Sequence, residues 1–431
     1  MLCRLECDAG YVSDLPPKFS CTDGKYEPNL PNMFTCKVAL ALIVSNTGEM
    51  EVFSNDASSK CDQLYKPNLP VEGMVGHTIN LLDDQLVIGA NTVVREKNGT
   101  ILGKKWTYLG LNDPRSGLLT NKWTDIHVVG QPAPRNHVSL VSGSILFYFG
   151  GDFKAQSFLH NGRRVQGEWS LFAFLQKEGK DGDAFAKFAS HACSAKVEQN
   201  KFLVIGGTFT KPDGDEEVLG DVFEVDTIEK KVQTLGQINF NRTQHACAVI
   251  SKSIIDGDGM KSYSKAILIT GGVKKTDNPQ TIVSEDELFV YDDKQSLIME
   301  NQMQNPRFKH NLVQLGDEVL VLGGQTKEED MVQLIEKLNF EPRQTFLELV
   351  SAGSWTEHSK RLKLMSTSGT AVTSIPESAI ECNREESSCK CGISREVERI
   401  IGGTVVRKTV FCLDMTLFLD AIASPSSYPC Q

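Results

Sequence analysis

The sequence predicts an all-β fold assembled from repeated four-stranded units. Two observations predict it. A diglycine follows an apolar strand again and again, and a histidine stands ahead of each of those strands. Self-similarity at a fixed period marks a chain built from stacked copies of one small unit.

The copies align as follows. Ile145 to Phe149 runs into Gly150-Gly151, Phe202 to Ile205 into Gly206-Gly207, Ala266 to Thr270 into Gly271-Gly272, and Val319 to Leu322 into Gly323-Gly324. Leu86-Val87-Ile88 before Gly89-Ala90 is a degraded copy. The preceding histidines are His77, His137, His191, His245 and His310, at spacings of 60, 54, 54 and 65. Arg135, Arg242 and Arg307 stand two or three residues before three of them. Another strand with an aromatic residue follows downstream, as in Trp169 to Phe172, Val222 to Asp226 and Leu288 to Asp292. This pattern closely resembles the kelch repeat, whose period is about 50 residues. The resemblance covers most of the chain and implies a β-propeller.

The physics agrees. A four-stranded sheet with apolar residues on both faces cannot bury them alone, so such sheets stack radially. The diglycine is expected where a Cβ would clash with the neighbouring sheet. The histidine is expected as a core hydrogen-bonding group. Five histidine-led units leave strand-like pieces at either side: Lys37 to Ser45 and Glu51 to Ser54 before them, and Ser366 to Pro376 after them. The expected architecture is a six-bladed propeller over 37–376, one blade being completed by 37–65 together with 366–376. Such closure removes open strand edges. The insertion from Ser251 to Ser264 holds Asp256-Gly257-Asp258-Gly259. It lacks the oxygen ligands of a calcium loop and is expected to be a solvated loop.

Composition narrows the function. The chain has 431 residues, a net charge of -10 and 40% hydrophobic residues, with a mean hydropathy of -0.22. A mildly acidic balance argues against nucleic acid as a partner. No apolar run approaches the roughly 20 residues of a membrane span. Met1 to Gly10 carries Arg4, Glu6 and Asp8 and so no export signal. Four of the 12 cysteines lie in the first 36 residues and five in the last 50. Dense terminal cysteines read as disulfide frameworks formed in an oxidising compartment. The sequons at Asn98 and Asn241 agree. The expectation is a secreted glycoprotein whose N-terminus, with its signal peptide, lies upstream of Met1.

Cys7-Asp8-Ala9-Gly10-Tyr11, then Cys21 and Cys36, resembles the second half of a sushi (complement control protein) module over 1–36. The resemblance implies a Cys7–Cys36 disulfide. It leaves Cys3 and Cys21 without their usual partners, as candidates to pair with each other. Tyr26 stands where the family carries tryptophan.

Beyond the propeller, 377–399 reads as a cysteine-containing linker with Cys382, Cys389 and Cys391 as disulfide candidates. Cys391-Gly392 followed by Arg399-Ile400-Ile401-Gly402-Gly403 resembles the activation site of trypsin-like serine protease zymogens. The resemblance implies cleavage between Arg399 and Ile400 by an activating trypsin-like protease, with 400–431 as a truncated protease N-terminus or an aberrant tail. None of the eight histidines lies after Ile400, so no serine–histidine–aspartate arrangement can follow.

Other chemistries are weaker. Copper radical oxidases also use kelch-like propellers, but Cys193 and Cys247 read as small buried side chains at equivalent strand positions. No P-loop, dinucleotide fingerprint or nucleophile elbow occurs. No catalytic, metal or cofactor residue is assigned. The expected function is extracellular binding of a protein or glycan at the propeller loops. The alternative is the regulatory N-terminal part of a modular serine protease zymogen.

Overall fold

The computed structural model describes residues 2–4, 7, 10–13, 18–22, 25–27, 36–56, 61–65, 74–82, 85–96, 99–110, 124–126, 136–142, 145–150, 159–165, 168–173, 189–198, 200–211, 213–229, 231–255, 261–274, 281–326, 331–339, 353–364, 366–376, 395–401 and 404–410. These fall into two compact units, 1–380 and 381–431. All their regular structure is β, in a propeller-like arrangement.

Six antiparallel sheets of four strands each make up most of the first unit. The first sheet contains Val75–Leu82, Gln85–Glu96, Gly99–Gly110 and Thr124–Ile126. The second contains Val138–Ser142, Ile145–Phe149, Leu159–Val165 and Glu168–Ala173. The third contains Cys193–Lys196, Lys201–Thr210, Glu216–Asp226 and Lys231–Gln237. The fourth contains Ala246–Ile255, Lys261–Thr270, Glu287–Val290 and Gln295–Ile298. The fifth contains Asn311–Leu315, Glu318–Leu322, Leu334–Asn339 and Ser354–Arg361. The sixth, which we call the closing sheet, sets Ala371–Ile375 beside Leu40–Val44, followed by Met50–Phe53 and Gln63–Tyr65. Each sheet is a meander except this one, whose inner strand comes from the far end of the unit. Ala371 lies opposite Val44 and Ile375 opposite Leu40.

Unbroken apolar runs in the second strands have a direct structural reason. Ala266, Ile267, Leu268 and Ile269 are all fully buried, as are Val319 to Leu322. Successive side chains point to opposite faces of a strand, so both faces of these sheets are covered. Ala266 and Leu268 of the fourth sheet pack with Val319, Val321, Leu338 and Trp355 of the fifth. Ile267 and Ile269 turn the other way and pack with Leu203 and Ile205 of the third. Leu320 and Leu322 meet Ala41, Ile43 and Phe53 of the closing sheet. Full burial of each such Leu, Ile or Val side chain contributes roughly 1.5–3 kcal/mol. The outer strand Gln295–Ile298 is mostly exposed, in keeping with its polar start.

The diglycines fit between sheets. A Cβ on Gly271 would lie 2.1 Å from the Arg307 carbonyl and 2.8 Å from the His310 ring, both leading into the fifth sheet. A Cβ on Gly272 would lie 2.7 Å from the Thr243 carbonyl and 2.8 Å from His245 Cβ, within its own repeat. Gly206, Gly207 and Gly324 repeat this logic.

In the fourth and fifth sheets a buried arginine ties the repeat to its own third strand. Arg307 Nη1 donates to the carbonyls of Gly323 (3.2 Å) and Leu334 (2.9 Å), and Nε to that of Asn305 (3.0 Å). Its Nη2 pairs with Glu336. Arg242 repeats the pattern with Gly271, Glu285, Phe240 and Glu287. All four ionic side chains are fully buried, so removing one partner of a pair costs about 3–5 kcal/mol. In the closing sheet Glu51 takes the glutamate's place. It accepts from the amides of Lys363 (2.8 Å) and Leu364 (3.1 Å). Lys360 Nζ adds bonds to the Ser54 carbonyl (2.8 Å) and Asp62 Oδ2 (2.6 Å).

At the N-terminus, Leu2–Arg4, Lys18–Thr22 and Lys25–Glu27 form one small sheet and Tyr11–Ser13 with Cys36–Val38 another. Cys7 and Cys36 are joined by a disulfide. The Gly10 carbonyl accepts from Gly316 (2.8 Å), which seats this segment on a turn of the fifth sheet. In the second unit, Arg395–Ile401 and Thr404–Val410 form a hairpin.

One expectation is corrected by register. Ser251 to Ser264 is not simply a loop: Ser251 pairs with Lys265 and Ile255 with Lys261, so the inner hairpin of the fourth sheet continues through most of it. The β-branched Ile254 and Ile255 and the aromatic Tyr263 are residue types that favour an extended ladder. The Asp256 to Gly259 stretch lies outside the described residues, as do Asn98, Arg135, Gly151, Cys382, Cys389, Cys391 and the side chains of Cys3 and Cys21.

The closing sheet generates a prediction. Deleting 366–376 removes the inner strand against Leu40–Val44 and the contacts it makes with both neighbouring sheets. The melting temperature should fall by about 10 °C or more. Calorimetry showing an unchanged transition would contradict the pairing.

Candidate functional site: the axial cavity

Six residues at or just ahead of the start of the inner strands adopt the left-handed conformation: Gly76, Asn136, His191, Gln244, Lys309 and Gly369, with φ between 54° and 62°. Their backbones form a girdle. The amide of Asn136 donates to the Gly76 carbonyl (3.1 Å), His191 to Asn136 (3.0 Å), Gln244 to His191 (3.1 Å), Lys309 to Gln244 (2.8 Å) and Gly369 to Lys309 (3.0 Å). A non-glycine residue in this conformation costs roughly 1–2 kcal/mol. Among the described residues, four of the five that accept that cost lie in the girdle. Only the left-handed turn lets each N–H point around the axis while the chain enters its strand. At Gly76 glycine is required for a second reason, since a Cβ would stand 2.4 Å from the Asn136 nitrogen.

The girdle encloses a cavity of about 350 Å³. Its lining comes from all six repeats and includes Asn46, Asn136, His191, Gln244, Lys309 and Thr370. Behind the girdle sit His77, His137, His245 and His310, all buried. His77 Nε2 faces the Val44 carbonyl at 3.0 Å, His137 Nε2 the Thr78 hydroxyl at 2.9 Å, and His310 Nε2 the Thr270 hydroxyl at 2.8 Å. Each thereby links its strand to the preceding sheet.

Burial pushes the His77 imidazole down to about 4, against the opposing pull of the Val44 carbonyl. Burial first, and the Arg242 charge second, take His245 to about 3. His310 is held well below its ordinary range by burial and then by Arg307. Lys309 is also lowered, by burial, and no acidic group opposes that shift.

The ladder corrects the repeat alignment at His191. In three sheets the residue opposite the last strand position before the glycines directly follows a histidine: Val138 faces Phe149, Ala246 faces Thr270 and Asn311 faces Leu322; in the degraded copy Thr78, which follows His77, faces Gly89 itself. In the third sheet that residue is Cys193, opposite Ile205. Ala192 therefore stands in the histidine position and His191 in the girdle. The same offset corrects the cysteines. Cys193 and Cys247 are not at equivalent positions and are not free thiols; they form a disulfide, with Cα atoms 5.8 Å apart, between the third and fourth sheets. Cys61 is disulfide-bonded as well.

Of the other sequence-derived sites, Asn241 is exposed while the hydroxyl of its sequon partner Thr243 is buried against Thr208 Oγ1 at 2.9 Å. Arg399 and Ile400 lie within the hairpin of the second unit, opposite Val406 and Val405. Among the described residues no group of three or more His, Cys, Asp or Glu is placed to hold a metal ion, and no helix is long and apolar enough to cross a membrane. The girdle side chains escaped the sequence reading because they share no residue type. For Gly76, Asn136, Gln244 and Lys309 the one signal is position, immediately before the repeat histidine.

No family model matches the chain, and no curated protein matches it. The kelch, sushi and protease resemblances therefore rest on the residues quoted for them. Solved structures do match. One of them, titled "Structure of YjhT", aligns with a TM-score of 0.51 and 13% identity, over 74% of this chain and 96% of that one. At that identity the likeness shows the fold alone, a propeller-type β structure.

The histidines set a pH prediction. Their folded pKa values lie below the unfolded value of about 6.5. The unfolded chain therefore binds protons that the folded chain refuses. Their contribution to stability is complete above pH 6.5 and is lost as the pH falls toward 4 and 3. Asp286 pulls the other way: burial raises it to about 7, so its contribution is present at low pH and is lost as the pH rises through 7. Glu51, raised by burial as well, acts in the same sense as Asp286; the three histidines outnumber these two acids, and the melting temperature should drop from pH 6.5 to 4. In NMR spectra the rings of His77, His245 and His310 should stay neutral down to pH 5. Titration of these rings near pH 6.5 would contradict the buried placement.

Proposed function

We propose that the chain is an extracellular, six-bladed kelch-type propeller that binds a protein or glycan ligand and does no chemistry of its own. The observation that carries this reading is the axial cavity, lined by hydrogen-bonding side chains from every repeat. The Oδ1 of Asn46 and the Oε1 of Gln244 are buried and unpaired. Buried polar atoms without partners are costly in a finished fold, and a bound ligand satisfies them. The histidines behind the girdle are poor general bases, because groups with pKa values of about 3 to 4 hold protons too weakly to serve near neutral pH.

The disulfides Cys7–Cys36 and Cys193–Cys247 support an oxidising compartment. The second joins two sheets of the propeller through the buried Cys193 and the half-buried Cys247, so it belongs to the folded body and not to a detachable terminus. The exposed Asn241 supports glycosylation. The Cys7–Cys36 pairing is also the one that the sushi resemblance implies for 1–36, and that segment would add a second recognition surface.

The test is a binding screen of the intact secreted chain on glycan and peptide arrays, repeated with Asn46→Ala. Binding that falls at least about tenfold in the variant, at unchanged melting temperature, supports the axial site. A ligand bound equally by both proteins places recognition elsewhere. Catalytic turnover of any arrayed ligand would overturn the non-catalytic reading.

A further inference from the structure

We propose that the axial cavity binds a small hydroxylated carboxylate, with the carboxylate on the Lys309 ammonium and its hydroxyls donating to Gln244 and Asn46. This inference rests on the binding reading above and names the ligand chemistry of that same site.

Charge carries the first step. The described lining residues include no aspartate or glutamate, and Lys309 is the one lysine or arginine among them. Among the described residues it forms no ion pair, and its Nζ lies over the ring of Phe308, 5.5 Å from the centroid. Lys309 is half-buried. Burial alone lowers its pKa, so its ammonium has given up water without gaining a counter-ion. An anion entering the cavity supplies that counter-ion and restores the charged form.

Geometry carries the second step. Lys309 and Gln244 are consecutive members of the girdle, joined by a 2.8 Å backbone bond. Their side chains therefore start from neighbouring points on the rim. The unpaired Gln244 Oε1 and Asn46 Oδ1 are acceptors. A fully deprotonated anion such as sulfate has no donor to offer them, whereas a neutral polyol has donors but leaves Lys309 uncompensated. A carboxylate bearing hydroxyls meets both needs. The volume of about 350 Å³ falls at the small end of ligand pockets, which suits a ligand of a few heavy atoms more than a folded partner.

Isothermal calorimetry with gluconate as the probe tests this, with sorbitol as its uncharged counterpart and sulfate as an anion without donors. Gluconate should bind more tightly than either. Lys309→Met should weaken it at least about tenfold without moving the melting temperature, since the substitution leaves the girdle amide in place. Lys309→Arg should recover most of the loss. Binding to the parent chain should also weaken as the pH rises through the lowered lysine pKa, with net proton uptake on binding in that range. Equal affinity for gluconate and sorbitol, an unchanged Lys309→Met variant, or no gluconate binding at millimolar concentration would each overturn the proposal. In all three cases an array ligand lost in Asn46→Ala would still leave the binding propeller standing.

Discussion

The girdle of left-handed residues is the constraint on which the rest of the structure depends. A ring of sheets must bring one inner strand per repeat to a common axis, and each strand must enter at the same height and angle. Asn136, His191, Gln244 and Lys309 accept a conformation that costs free energy locally. In return each amide finds the carbonyl of the previous repeat. A slip of one residue in an inner strand would break two of these bonds at Asn136, His191, Gln244 or Lys309, or one at Gly76 or Gly369, and turn its apolar side chains to the wrong faces. Register in every sheet is thus coupled to register in its neighbours.

The diglycines and arginines make that coupling dense. Gly271 is shaped by the carbonyl of Arg307 and the ring of His310, which belong to the following repeat. Arg307 in turn is held by Gly323, Leu334 and Glu336 of its own sheet. The motif is therefore a chain of contacts that hands each repeat on to the next. At the closing sheet the glutamate survives as Glu51, but its partners are backbone amides arriving from residues 363 and 364. The covalent chain is open there, and Glu51 with the pairing of Leu40–Val44 and Ala371–Ile375 closes it by non-covalent means. Cys193–Cys247 adds a covalent tie between the third and fourth sheets.

What could be read in the sequence was whatever residue type alone determines. Strand-diglycine runs announce sheets buried on both faces, because the apolar run leaves no polar face for solvent. The lone strand after Trp355 and the two before Gly76 were legible as parts of one sheet, since neither end holds four strands. The girdle was not legible. Glycine, asparagine, histidine, glutamine and lysine share no composition, and their common φ appears only in three dimensions. His191 misled for the same reason: it lies close to the position of the other histidines, and the pairing of Cys193 with Ile205, together with its own left-handed φ and its backbone bonds to Asn136 and Gln244, shows that it is displaced by one. That displacement hid the disulfide, since taking Cys193 and Cys247 as equivalent positions in neighbouring repeats reads them as small buried side chains. The cavity's chemistry was hidden too, because Lys309 and Asn46 lie far apart in sequence and meet only through closure of the unit.

The cavity's character follows from the girdle and not from any one motif. Six backbones turned alike line one space, and the four side chains among them, those of Asn136, His191, Gln244 and Lys309, are free to vary because the backbone bonds do the structural work. The most direct measurement of this account is native-state hydrogen exchange at the amides of Asn136, His191, Gln244, Lys309 and Gly369. If the girdle holds the sheets as one unit, all five exchange only through global unfolding, with the same opening free energy and the same denaturant dependence. If they exchange one after another through separate local openings, the girdle is ornament on six independent sheets, and the account fails.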